Sequence, residues 1–147
     1  MIGSTIRIGH MDVAGFSLFD CRDFPVVRFI GTPEEGYAAS WCAEMDRLLA
    51  RESPFVLIYP PRPDEEAHAD RVSRGQWLKR NKAALAARCL ALIVIEPDAR
   101  RRAEIEAIFP DLVKAFGAPQ ATRASAAEAE ALARHLIGGG ALSDGAA

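Results

Sequence analysis

Hydrophobic residues follow two periods along the chain, and together they predict alternating strands and helices. The apolar runs at residues 55–59 and 90–95 are typical of parallel strands buried on both faces. Residues 14–21 and 26–30 are two further apolar runs joined by a short turn, which predicts an antiparallel hairpin. Residues 119–123 predict a short edge strand.

Segments with helical spacing lie between these strands. Thr32, Pro33 and Glu35 predict a capped helix start, and this helix runs to about residue 51. Its apolar stripe predicts core packing against the sheet, with a stacking platform as the alternative for its first two aromatic residues. The stripe consists of Tyr37, Trp41, Met45, Leu48 and Leu49.

Three more helical segments complete the pattern. One begins at Glu66 or Ala69 and runs to about residue 87. Another follows Asp98, a predicted N-cap, breaks at Pro110 and ends at Gly117. The last opens with a capping box at residues 125–128 and runs to about residue 137, with an inner face of Ala129, Leu132, Ala133 and Leu136.

This order predicts one α/β domain over residues 14–137, with a loose leader at 1–13 and a flexible tail at 138–147. We expect a two-layer or sandwich fold with a mixed, mostly parallel sheet of about five strands. The sheet would begin with the N-terminal hairpin and be covered by four to five helices.

Composition excludes several partners. The 147 residues carry a formal net charge of −2, so no bulk attraction to nucleic acid or to an anionic membrane is expected. No apolar run approaches the ~20 residues of a membrane span. Cys21, Cys42 and Cys89 are widely spaced in apolar surroundings, which favours three reduced, buried thiols and a cytoplasmic location. No motif indicates a cofactor, and His68, although it lies among carboxylates, matches no metal-ligand spacing.

Charged residues cluster after the third, fourth and fifth strands. Because ligands of open α/β sheets bind at the carboxyl ends of the strands, this edge is the expected recognition surface. An acidic run at residues 64–70 is followed by basic residues, and an arginine triplet at 100–102 opposes the dipole of its helix. The candidate binding side chains are Arg71, Arg74, Trp77, Asn81, Arg100, Arg101 and Arg123.

Asn81 and the arginine triplet each have a structural alternative, and Arg71 is otherwise a solvated surface residue. Asn81 lies on the apolar face that contains Trp77, so it either bonds a backbone group at the sheet edge or lines a cleft with Arg74. The arginine triplet either holds an anion or an acidic partner, or it points into water and pairs with nearby acids. No catalytic constellation is legible, so no catalytic residue is proposed.

A family resemblance covers residues 14–137. The blocks FSLFDCRDFPVVRFIG, TPEEGYAAS, FVLIY, QWLKRNKAALAARCLALIVI and ASAAEAEAL resemble the SpoIIAA-like, STAS-related single-domain bacterial proteins. The resemblance implies an α/β sandwich with a mixed sheet and regulatory or ligand-sensing work. The phosphorylated serine motif that follows the third strand in the anti-sigma-factor antagonists is replaced here by PPRPDEEAHADRVSRG, so phosphorylation is not carried over.

Three functions follow as hypotheses. The first is a non-enzymatic regulatory or protein-interaction module that recognises a protein partner at the carboxyl edge. The second is a binding protein for a small anionic ligand that bears phosphate or carboxylate, and the third is a small pathway-associated enzyme. The sequence leaves a homodimer possible and does not identify the partner or ligand.

Overall fold

The structure is a computed structural model that describes residues 15–61 and 66–142. Five strands form one sheet in the order β1-β2-β3-β4-β5. β1 pairs antiparallel with β2, and all later pairs are parallel. The strands are β1 (Phe19–Asp20), β2 (Val26–Phe29), β3 (Phe55–Tyr59), β4 (Cys89–Ile95) and β5 (Gln120–Arg123). The predicted mixed sheet with an N-terminal hairpin is confirmed.

Five helices connect and follow these strands in the described residues. They are α1 (Ala38–Ala50), α2 (His68–Arg88), α3 (Ala99–Ala107), α4 (Phe109–Phe116) and α5 (Ala126–Ile137). The α/β class and the number of helices agree with the prediction. Gly117 ends α4 with a φ of 82°, in the left-handed region that glycine adopts without strain.

The central strands are buried on both faces, as their continuous apolar sequences predict. Successive residues of a strand point to opposite sides of the sheet, so each strand contributes to two cores. On one side, Phe55 and Leu57 join a core built with α1 and α2. On the other side, Val56 and Ile58 pack under α5, whose predicted inner face is fully buried.

The start of α1 differs from the prediction. The helix begins at Ala38, and Tyr37 at its N-cap makes no side-chain cap bond, so the predicted capping box of Thr32 and Glu35 is wrong. Asp70 of α2 caps the helix instead, because its Oδ2 accepts from Gly36 N at 2.8 Å and its Oδ1 from Ala38 N at 3.2 Å. Gly36 has a φ of 92°, which turns the chain before the helix.

The first strand is shorter than the predicted 14–21. Just before β1 and at its first residue, backbone N–H groups donate to a carboxylate. Glu44 of α1 is 3 % exposed and accepts from the N–H groups of Ser17, Leu18 and Phe19 at 3.0–3.2 Å. A buried acid on α1 therefore holds the chain that enters the sheet.

The predicted leader at 1–13 lies outside the described residues, as does the tail beyond residue 142. Residues 138–140 continue from α5 with backbone hydrogen bonds to its last turn. In the described ranges, every helix is too short or too polar to cross a membrane.

Candidate functional site

A cavity of about 540 Å³ opens at the carboxyl ends of β2 and β3. This is the edge at which ligands bind in open α/β sheets. The two strands contribute their last residues, Phe29 and Tyr59. The remaining described lining comes from the turn before α1, from α1, from the chain after β3, and from α2: Gly31, Thr32, Pro33, Glu34, Tyr37, Trp41, Pro60, Pro61, Glu66 and Arg74.

Aromatic rings form much of the wall. Phe29 and Tyr59 are stacked, with centroids 4.8 Å apart and an interplanar angle of 14°. Trp41 donates from Nε1 to the Tyr59 hydroxyl at 3.0 Å, and this bond fixes both rings. The stacking and the hydrogen bond hold these walls in place, so the cavity is largely preformed.

A buried ion pair supplies the charge. Arg74 donates from Nε and Nη2 to the two carboxylate oxygens of Glu66, at 2.5 and 2.7 Å. The two side chains are only 11 % and 13 % exposed. The guanidinium carbon also lies 5.3 Å from the centroid of the Trp41 ring, within the range of a cation–π contact.

Tyr37 completes this network by donating its hydroxyl proton to Glu66 Oε2 at 2.5 Å. Burial, followed by this hydrogen bond, raises the pKa of Tyr37 well above its usual value. For Arg74, burial is the largest single influence and lowers the pKa, but the hydrogen bonds with Glu66 and the charge interactions with Tyr37, Glu66 and Tyr59 together outweigh it, so the net shift is upward. Near neutral pH the phenol is therefore protonated and the guanidinium charged.

Of the seven predicted side chains, the structure places Arg74 in the described cavity lining. Arg71 is exposed and donates from Nη2 to the backbone oxygen of Glu66 at 3.2 Å. Trp77 is buried in the core, where it contacts Trp41 edge to face and donates to Asp46 at 2.8 Å.

Asn81 does not line the cavity in the described part of the chain. Its Nδ2 donates to the Trp77 carbonyl at 2.9 Å. The predicted bond to a backbone group is present, but the acceptor belongs to the same helix and not to the sheet edge. An amide that bonds four residues back along its own helix has no need of a ligand to satisfy that donor.

Two side chains of the arginine triplet, those of Arg101 and Arg102, contact Glu96 at the end of β4, whereas the hydrogen bond of Arg100 is made by its backbone N–H. Asp98 caps α3 by accepting from the backbone N–H groups of Arg100 and Arg101 at 2.8 and 3.2 Å. The Arg101 side chain lies 3.4 Å from the buried Glu96 carboxylate, and Arg102 donates to the Glu96 carbonyl at 2.8 Å. For Arg101, the alternative of pairing with a nearby acid is therefore the one observed with Glu96.

Arg123, the last predicted residue, ends β5 and donates to the Thr122 carbonyl at 2.7 Å. It is not among the described lining residues of the cavity.

Sequence reasoning missed Phe29, Tyr59 and Glu66 as site residues. For the two aromatic residues a signal exists, because each is the last residue of a strand at the predicted ligand-binding edge. Glu66 carries no such signal, since it lies within an acidic run whose members look equivalent in sequence. Its role depends on the fold bringing it to Arg74 and Tyr37.

Metal binding was not predicted, and residues 64 and 65 of the acidic run lie outside the described residues. Within residues 15–61 and 66–142, no three His, Cys, Asp or Glu side chains are grouped so that they could hold an ion.

Comparison of the chain with protein-family models, curated proteins and solved structures gave no match.

Proposed function

We propose that the protein binds a small molecule in the cavity at the carboxyl ends of β2 and β3. One observation carries the proposal: a preformed space of about 540 Å³ with aromatic walls and, among its described lining residues, one buried ion pair. Ligand sites are typically 300–1,000 Å³ in volume, mostly apolar, and equipped with a few fixed polar groups.

The polar side chains that line the cavity support ligand binding over catalysis. The Glu66 carboxylate already accepts from Arg74 and Tyr37, so it is poorly placed to take a proton from a substrate. Serine, cysteine and histidine are missing from the described lining, which leaves the Thr32 hydroxyl as its one aliphatic hydroxyl group. The small-enzyme hypothesis thus has less support than ligand binding.

A regulatory protein-interaction function is the second candidate. Its supporting observation is Ile30, which is 61 % exposed and lies between two residues that line the cavity. A ligand in the cavity would change the surface around this side chain, which is how a ligand-sensing module would signal. The STAS-like relationship, the cytoplasmic location and a homodimer stay predictions.

Paired substitutions at the cavity mouth test the proposal. Thr32 and Glu35 are both exposed and lie three residues apart, but only Thr32 is among the described lining residues. Thr32→Trp should fill the mouth, and Glu35→Trp adds the same bulk outside it. Small-molecule libraries would be screened by thermal shift at low and high salt, and hits confirmed by calorimetry.

The proposal expects ligands that stabilise the wild type and Glu35→Trp but not Thr32→Trp. It fails if no compound stabilises the wild type at millimolar concentration, or if Thr32→Trp binds every hit unchanged. The second candidate is tested separately by capture of partners on wild type, Ile30→Glu and Arg71→Glu. Arg74 is unsuitable for that test because its buried charge supports the fold.

A further inference from the structure

We infer that the ligand is an uncharged planar aromatic molecule that carries a carbonyl group, and that this carbonyl accepts a hydrogen bond from Arg74. The inference rests on the proposed function and specifies the chemical class of its ligand. It departs from the anionic ligand that the sequence suggested.

Charge balance favours an uncharged ligand. The formal charges of Arg74 and Glu66 cancel, and both side chains are largely withdrawn from water. Arg74 is the one cationic side chain among the described lining residues, so a carboxylate or phosphate beside this largely buried pair would be an unbalanced charge there, which is costly. The other acidic residue of the described lining, Glu34, would add repulsion.

The hydrogen bonds that Arg74 makes favour a ligand that carries a hydrogen-bond acceptor. A guanidinium has five N–H donors. Arg74 Nε and Nη2 donate to the Glu66 carboxylate. Arg74 Nη1 makes no hydrogen bond to any residue of the described ranges. A ligand carbonyl can accept from Nη1 without breaking the pair with Glu66.

The walls favour a flat ring. The stacked rings of Phe29 and Tyr59 lie on one pair of neighbouring strands, and Pro33, Pro60 and Pro61 add rigid apolar rings. Aromatic rings pack by offset stacking or edge to face, so a planar ligand makes more contact with such walls than a globular one. A cation is disfavoured because Arg74 lies over Trp41, the ring that would attract it.

Three compounds of similar size separate these features: 2-naphthamide, 2-naphthoate and adamantane-1-carboxamide. The first two differ in charge, and the first and third differ in planarity. Calorimetry would measure the Kd of each for the wild type, Thr32→Trp, Glu35→Trp and Arg74→Lys. Lysine keeps the charge opposite Glu66 but lacks the planar fork of donors.

The expected result is that 2-naphthamide binds the wild type and Glu35→Trp at least tenfold more tightly than either other compound. Its affinity should not change with salt, and it should fall at least fivefold in Arg74→Lys and be lost in Thr32→Trp. If Arg74→Lys does not fold, as judged by its circular dichroism melt, the wild-type comparison decides alone.

Equal or tighter binding of 2-naphthoate, weakened by salt, would overturn the inference in favour of an anionic ligand. Equal binding of the adamantane compound would overturn the requirement for planarity. If none of the three binds but the library gives hits that Thr32→Trp abolishes, the inference is wrong and the proposed function stands. If the library gives none either, both are wrong.

Discussion

Asp70 is predicted to stabilise the fold by capping a helix that begins 32 residues before it. It is 5 % exposed, and its two oxygens accept from Gly36 N and Ala38 N. α1 has no side-chain cap of its own. Asp70→Ala would therefore leave both N–H groups without this acceptor and remove a negative charge from the N-terminus of α1.

The expected loss of stability in Asp70→Ala follows from these two hydrogen bonds. Loss of an N-cap typically costs about 1 kcal/mol, and a buried hydrogen bond to a charged group contributes about 1.5–3 kcal/mol. Since the two bonds share one carboxylate, we expect Asp70→Ala to lower the free energy of unfolding by about 2–4 kcal/mol. Asp70→Asn keeps one carbonyl acceptor and should lose about half as much.

Urea unfolding followed by tryptophan fluorescence measures this cost, because Trp41 and Trp77 are both buried. Glu35→Ala is the matched control. Glu35 is the residue that sequence assigns to the cap, but it is exposed and its loss should change stability by no more than about 0.5 kcal/mol. The reasoning is refuted if Asp70→Ala lies within about 0.5 kcal/mol of wild type, or if Glu35→Ala costs as much.

Three further outcomes are expected. Glu44→Ala should destabilise the protein by about 3–5 kcal/mol in the same urea assay, since three backbone N–H groups lose a buried acceptor; a cost below about 1 kcal/mol would contradict this. Burial raises the pKa of all three thiols, to about 12 for Cys21 and Cys89, and only Cys42 is half-buried. At pH 8 a disulfide-exchange reagent should therefore label Cys42 slowly and the other two only after urea is added, and equal native rates would disprove it. Hydrogen bonding to its neighbouring arginine lowers the pKa of Asp20 to about 2, so its stabilisation is complete above its unfolded value of about 4 and is lost as the pH falls through about 2. Asp20→Asn should therefore reduce stability at pH 6 by no more than about 1 kcal/mol and by a smaller amount at pH 2, where the folded carboxylate is half protonated, as measured by urea unfolding at both pH values; the same loss at both would refute it.

Strands and helices that are specified by residues close to one another in the sequence could be predicted. β3 (Phe55–Tyr59) has its predicted bounds, because a short apolar run that is flanked by polar and proline residues is typical of a strand buried on both faces. Ser125 caps α5 as predicted, since its acceptor and the N–H of Glu128 lie three residues apart.

Contacts between distant segments could not be predicted in this way. The local sequence predicts that Thr32 caps α1. The structure instead has Asp70, a buried carboxylate on another helix, in that role. The site shows the same limit. The cavity lies at the edge that the sequence indicated and Arg74 lines it, but the choice among the acidic residues near it depended on the fold.

The order of strands in the sheet has a consequence for how the chain acquires its structure. Each strand pairs with its neighbour in sequence, so the sheet can extend one strand at a time while the polypeptide emerges from the ribosome. α1, α2 and α4 cover one face during this growth, but Val56, Ile58 and Ile93 on the other face pack under α5, which follows the last strand. In a chain that grows the sheet in this order, those three side chains lack their α5 partners until residues 126–137 are made, so the uncovered sheet face is the apolar surface through which a truncated chain is expected to aggregate.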